Sequence, residues 1–136
     1  MFRISKMFLI AVLLMFGNSL FAQEDANTSN TMYLEMNPSF VLNYGGGGKL
    51  KYLRTDITLR LSKEGTLIDD INLHMPILRH AVIMFLSKQN EERIRDGSQR
   101  ETIRLELLQE LRAALADITN TDGIKDLLFT TFFIQQ

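Results

Sequence analysis

The end of the chain is its most informative stretch: Phe129-Thr130-Thr131-Phe132-Phe133-Ile134-Gln135-Gln136. A segment this apolar at the close of a small domain predicts a buried strand, or an edge strand that awaits a partner. Over residues 124–135, alternation puts Leu128, Phe132 and Ile134 on one face and Leu127, Phe129 and Phe133 on the other. Because both faces are apolar, we expect this strand to be central in its sheet, or its second face to meet another molecule.

Residues 32–44 alternate between apolar and polar side chains, which predicts a half-buried strand. Its apolar face consists of Leu34, Met36, Phe40 and Leu42. Pro38 lies inside this run and cannot donate a ladder hydrogen bond. The strand therefore lies at a sheet edge, or it breaks near Pro38.

Residues 50–62 form the clearest predicted strand. Its inner face carries Leu53, Ile57, Leu59 and Leu61, and its outer face carries Arg54, Asp56, Thr58 and Arg60. One packed face and one wet face are typical of an antiparallel sheet that is covered on one side. The charged outer face is interpreted either as solvated surface or as a protein-binding face.

Two helices are predicted between these strands and the last one. Over residues 67–87, apolar side chains recur at steps of three and four, and Pro76 implies a kink or a helix that restarts near it. Residues 88–97 are highly charged and predict an exposed connection. Ser98 and Glu101 then form a capping-box pattern that opens a helix over residues 100–116, with the arginines at 100, 104 and 112 on its wet side.

These elements follow in the order ββααβ and predict the α/β (α+β) class. We expect a small, mostly antiparallel, three-stranded sheet with both helices on one face. A second apolar face would then stay uncovered, and such a face usually marks an interaction surface. The candidate partner-binding residues are Phe129, Phe132, Phe133, Arg54 and Arg60.

Several classes of function lack support in the residues. The chain has no cysteine, which excludes thiol catalysis and thiolate metal sites, and a formal net charge of −1 does not suit a nucleic-acid binder. The four glycines at 45–48 predict a hairpin connection; the phosphate-loop pattern fails because Leu50 follows Lys49. His74 and His80 would lie about 240° apart around a helix, so they form no metal site. We therefore predict no catalysis, cofactor, metal or small-molecule substrate.

The beginning of the chain has the layout of a secretory signal peptide. Two basic residues precede an apolar run at residues 7–16, and Ala22 ends a small-residue cleavage pattern. Residues 7–22 are fewer than the about 20 apolar residues that a spanning helix needs. We predict a signal peptide over residues 1–22, with an uncleaved anchor as the alternative, then a flexible linker over 23–31 and one domain over 32–136.

Four segments in order resemble the flagellar basal-body-associated FliL family. They are Phe40-Val41-Leu42-Asn43 followed by Lys51-Tyr52-Leu53; His74-Met75-Pro76 with Arg79; Leu86-Ser87-Lys88-Gln89; and the terminal Phe129-Thr130, Phe132 and Ile134-Gln135. The similarity covers residues 33–135. Each piece alone is weak, whereas the ordered set is specific.

The resemblance implies a periplasmic domain at the inner membrane that supports motility by contacting the stator units and other basal-body parts. It also implies a fold similar to the stomatin/prohibitin-type domain and homo-oligomeric rings. The chain departs from the family at its N-terminus, where a signal-like segment replaces a basic tail and a full membrane helix. The alternative function is a periplasmic adaptor or stomatin-like assembly module unrelated to motility, which a non-flagellar gene neighbourhood would favour.

Export and cleavage form the first testable prediction. Purified mature protein should begin at Gln23 and fractionate with the soluble periplasm, because the apolar run is too short for a stable span. N-terminal sequencing measures this directly. Membrane-bound protein that begins at Met1 or Phe2 would show that the segment stays as an anchor.

Overall fold

The computed structural model describes residues 30–45, 48, 50–120 and 122–135. The predicted signal segment and nearly all of the predicted linker lie outside the described residues. Strand β1 (Thr31–Glu35) already includes the last residue that we had assigned to the linker.

The sheet is antiparallel and is organised around one central strand, β3 (Tyr52–Ser62). The short strands β1 and β2 (Phe40–Asn43) pair with successive parts of β3, and β4 (Ile124–Gln135) pairs along its length. The predicted first strand thus breaks at Pro38, which is one of the two alternatives that the proline left open. The predicted α/β class with an antiparallel sheet is confirmed, whereas the likeness to a stomatin-type domain stays a prediction. The predicted three-stranded sheet and the order ββααβ are wrong, because the break at Pro38 makes two strands of the first and gives a sheet of four.

Four helices lie between β3 and β4. They are α1 (Leu67–Leu73), α2 (Met75–Ser87), α3 (Glu91–Arg95) and α4 (Arg100–Thr119), with a 3-10 turn at Gly97–Gln99. The first predicted helix restarts rather than kinks, because His74 ends α1 and Pro76 occupies the first turn of α2. Proline suits that position because the first helical N–H groups have no helical partner.

The charged segment at 88–97 is not only the exposed connection that we predicted. It contains α3, whose Ile94 is buried in the core, and Asn90 caps this helix by accepting a hydrogen bond from the Arg93 N–H at 2.8 Å. The predicted capping box at Ser98 is wrong. Asp96 accepts from the Ser98 N–H at 2.8 Å to start the 3-10 turn, and α4 begins without a side-chain cap.

One core lies between the helices and the inner face of the sheet. β3, α2 and α4 contribute most of its fully buried members, with Ile71 of α1 and Leu127 of β4 beside them: Leu53, Leu59, Leu61, Leu78, Val82, Leu86, Ile103, Leu107, Leu111. The turn before β4 is packed closely enough to require glycine, since a Cβ on Gly123 would lie 2.3 Å from a methyl carbon of Leu67.

Because the core lies on the inner face of the sheet, the helices cover that face and leave the other open.

The burial pattern of α4 predicts unequal effects of neighbouring substitutions. Leu111→Ala should lower the free energy of unfolding by about 2–5 kcal/mol, because Leu111 is completely buried and its loss leaves a cavity. Glu110→Ala, at the preceding exposed position, should change it by at most about 0.5 kcal/mol. Chemical denaturation measures both, and equal losses would contradict the assigned helix face.

Candidate partner-binding surface

The outer face of the sheet is not covered by any described element. Pairing places Arg54 between Val41 on β2 and Phe133 on β4, so these three side chains form one row across the sheet. Arg54 is exposed, and the exposed fractions of Val41 and Phe133 are 64% and 59%. A guanidinium thus lies between two uncovered apolar side chains.

A shallow concavity of ≈ 370 Å³ is centred on this row. It is lined by Val41, Tyr52, Arg54, Phe133 and Gln135. Arg54 forms no hydrogen bond or ion pair with any residue that the structure describes. A guanidinium without a hydrogen-bonded partner among the described residues, set among apolar and aromatic side chains, is suited to bind a carboxylate of another protein.

The predicted site residues do not all lie on this face. Phe133 does, but Phe129 and Phe132 both pack against the core, with their ring centroids 5.1 Å apart in an edge-to-face arrangement. The predicted division of β4 into two alternating faces is therefore wrong. The cause is a register shift at Thr130, since Asp56 pairs with Thr131 while Ile57 pairs with Phe129. One extra residue in a strand reverses the alternation beyond it.

Arg60 is the second predicted basic residue, and it also lies on the outer face. It is partly engaged, because its guanidinium lies 3.8 Å from Asp126, its neighbour across β4. Asp126 also forms an ion pair with Arg104 from α4. Of the two predicted arginines, Arg54 is therefore the one with its charge available.

Asp126 joins the sheet to α4 electrostatically. Burial alone would raise its pKa, but the hydrogen bond from the Leu127 N–H and the charges of Arg104 and Arg60 outweigh burial, so the pKa is lowered. The pKa of Arg104 is raised, first by its hydrogen bonds to Glu101 and then by Asp126. Both groups are thus held in their charged forms in the folded protein.

A polar depression of ≈ 290 Å³ lies beside the Arg54 row. Glu35, Asn37 and Asp56 are among its lining residues. Side-chain hydrogen bonds from Ser39 and Thr131, and the nearby charge of Arg54, lower the pKa of Asp56. The outer face therefore combines an acidic depression with a basic and apolar concavity.

The arginines of α4 were predicted to lie on its wet side, and this is wrong for all three. Arg104 donates to the Leu127 carbonyl at 2.9 Å, and Arg112 donates to the carbonyls of Ile124 and Lys125 at 2.8 and 3.0 Å. The guanidinium of Arg100 lies 4.4 Å from the ring centroid of Phe132. The three side chains reach from α4 to β4 and tie helix and strand together.

The segments that carry the family resemblance are largely structural. Arg79 donates to the Met36 carbonyl at 2.7 Å, and its guanidinium lies 4.1 Å from the ring centroid of Phe40. It thereby fixes α2 against the break between β1 and β2. Gln89 bridges α2 and α3, donating to the Phe85 carbonyl and accepting from Arg93.

Sequence reasoning missed Val41, Tyr52 and Gln135, which line the concavity. These residues come from three different strands and lie beside Arg54 only because of the register between the strands. The sequence of a single strand does not show that register. Among the described residues, no group of three or more potential metal ligands comes together. Within the same ranges, no helix has the length and apolar character needed to cross a membrane.

Fold and surface together define a small α/β domain with one covered and one open sheet face. The family model described as "Flagellar basal body-associated protein FliL" matches residues 33–135. The chain is also 28% identical over 101 residues to "Flagellar protein FliL" of Aquifex aeolicus (strain VF5), a match that covers 74% of this chain and 60% of that relative. The match thus spans less than two thirds of the relative's length. The chain belongs to the FliL family of flagellar basal body-associated proteins.

The Asp126 cluster gives a prediction for pH dependence. The pKa of Asp126 is lower in the folded protein than its ordinary value of about 3.9. Ionised Asp126 therefore stabilises the fold fully at pH values above about 3.9, and this stabilisation is lost as the pH falls through the pKa of the folded protein. Asp126→Asn should therefore lower the free energy of unfolding at pH 7 by about 1–3 kcal/mol. The difference from the natural protein should shrink below about pH 4.

Denaturation at several pH values measures this effect. Asp122→Asn is the control, because Asp122 is exposed and forms no ion pair within the described chain. A loss for Asp126→Asn that stays constant from pH 7 to pH 3 would contradict an electrostatic role.

Proposed function

We propose that this protein is a non-enzymatic accessory component of the flagellar basal body. It acts in the periplasm next to the inner membrane and supports motility by contacting the stator units. Membership of the FliL family supports the basal-body role. The signal-like N-terminus supports export, with a single N-terminal membrane anchor as the alternative arrangement.

The open outer face of the sheet is the observation that carries the proposed contact. A sheet covered by helices on one side normally exposes polar residues on the other. Here the row of Val41, Arg54 and Phe133 exposes two apolar side chains and a guanidinium that no described residue binds by a hydrogen bond or ion pair. Aromatic residues and arginine are the usual anchors of protein contacts, and the partner surface that fits them is apolar with a carboxylate.

The proposed role needs no chemistry at the site. Its titratable groups serve pairing and recognition: Arg60 and Asp126 bind each other, Asp56 accepts hydrogen bonds from neighbouring side chains, and Arg54 is available to a partner. Several copies assemble at the motor, as rings in the arrangement that the family resemblance implies.

Charge reversal at Arg54 tests the contact. In a deletion strain complemented with the variant, Arg54→Glu should strongly reduce swimming in soft agar, because a lost interface arginine costs about 2 kcal/mol or more of binding. Lys63→Glu makes the same change of charge in the exposed turn after β3 and should swim normally. Immunoblots must show equal amounts of both variants. Normal swimming of Arg54→Glu would reject this row as the motor contact.

A pair of phenylalanine substitutions separates the contact face from the core. Phe133→Asp should fold, with a change in unfolding free energy of at most about 0.5 kcal/mol, and should weaken motility or assembly. Phe132→Asp should lower the free energy of unfolding by about 3 kcal/mol or more, because it removes a ring that packs against the core and under the Arg100 guanidinium. Circular dichroism and soft-agar swimming measure the two effects. Unfolding of Phe133→Asp would contradict the assigned faces.

A further inference from the structure

The two edges of the sheet are protected to different degrees. An exposed strand edge offers unpaired N–H and C=O groups to any other strand, and proteins normally block such edges. The edge formed by β1 and β2 is blocked by its short strands of 5 and 4 residues and by the break at Pro38. The first half of the β4 edge is blocked by Arg104 and Arg112, which bind its carbonyls.

The second half of the β4 edge, residues 128–135, has no such protection. Its sequence is Leu-Phe-Thr-Thr-Phe-Phe-Ile-Gln, without a charge, a proline or a glycine. Aromatic and β-branched residues of this kind have high strand propensity. A long, uncharged and apolar edge is the kind that pairs with another strand.

The register shows which backbone groups are open. The Ile57 carbonyl accepts from the Met36 N–H, so the odd-numbered residues of β3 direct their backbone groups toward β1 and β2, and the even-numbered ones toward β4. Arg54 pairs with Phe133 and Asp56 with Thr131, so those two β4 residues bond to β3. The N–H and C=O groups of Phe132 and Ile134 therefore point away from the sheet. No hydrogen bond within the described ranges reaches them.

We propose that the last part of this half-edge, residues 131–135, pairs with the same residues of a second copy of the chain, antiparallel, about a two-fold axis through Phe133. In this register Phe132 of each copy exchanges hydrogen bonds with Ile134 of the other. Both open residues of both copies are then satisfied. The result is one continuous sheet across two domains, with an interface in which the same patch is used twice.

The side chains fit this register. Phe133 directly faces Phe133 of the second copy in a non-hydrogen-bonded pair, where side chains are closest. A phenyl ring that is 59% exposed in one domain is thereby covered by its twin, and aromatic cross-strand pairs are favourable. No like charges meet, because residues 128–135 are uncharged. A second copy is favoured over a foreign strand because one register matches the open groups of Phe132 and Ile134 and covers the exposed ring of Phe133 at once.

This pairing goes beyond the proposed motor role and does not depend on it. Arg54 and Val41 lie away from the β4 edge and stay open in the paired form, whereas Phe133 belongs to both contacts and faces its twin there. The contact is two-fold, so alone it ends at a dimer, whereas a cyclic ring repeats a head-to-tail contact. The two kinds of assembly are therefore distinguishable by which residues cross-link.

A single-cysteine experiment tests the register. The natural chain contains no cysteine, so Phe133→Cys introduces the only thiol. Directly opposed residues in a non-hydrogen-bonded pair have Cβ atoms within about 5.5 Å, close to the reach of a disulfide. Val41→Cys is the matched control, because Val41 is equally exposed on the same face but lies at the opposite edge.

Under mild oxidation of the purified full chain at micromolar concentration, Phe133→Cys should form disulfide dimers about 1,000-fold faster than Val41→Cys. A preformed pair holds the two thiols at an effective concentration of order millimolar. Phe133→Lys should convert dimers to monomers in sedimentation velocity, while Val41→Lys leaves them intact. Equal cross-linking rates, a monomeric natural protein, or an oligomer that persists in Phe133→Lys would each overturn the proposal. Binding of a different protein's strand at this edge would appear as the monomeric outcome.

Discussion

The rest of the structure depends on the position of β3, which is hydrogen-bonded along both edges but covered on only one face. Its inner side chains build the core with α2 and α4, so the helices must lie on that side. Its outer side chains then form an open surface. Because these side chains do not pack in the core, they are available to contact another protein. The exposure of Arg54 between two exposed apolar neighbours is a direct consequence of that one-sided cover.

Helix and outer strand are held together by arginines rather than by apolar packing alone. Arg104 and Arg112 extend from α4 to the carbonyls at the start of β4, and Arg104 also pairs with Asp126. These contacts satisfy an edge that would otherwise stay open. These arginine contacts reach only the first half of β4. The unprotected second half of the β4 edge therefore adjoins the open outer face of the sheet, and Phe133 belongs to both. One exposed ring lies at the junction of both proposed contacts.

Local alternation was enough to predict the faces of β3. Each proline left two alternatives open, an edge strand or a break at Pro38 and a kink or a restart near Pro76, and only the structure shows the break and the restart. The faces of β4 could not be predicted, since the register shift at Thr130 exists only when β4 lies against β3. The short helix around Ile94 was hidden among charges whose hydrogen bonds, such as the cap from Asn90, form only after folding. The concavity was likewise inaccessible, because cross-strand register is what brings Val41, Tyr52 and Gln135 to Arg54.

The central claim is that the open outer face of the sheet, and not the helical side, meets the flagellar motor. Photo-cross-linking in living cells tests this most directly, with the reactive side chain placed at Tyr52 in the concavity or at Leu105 on α4, which are 38% and 46% exposed. The account predicts an adduct with a basal-body or stator protein from position 52 and none from position 105. An adduct from position 105 alone would contradict it.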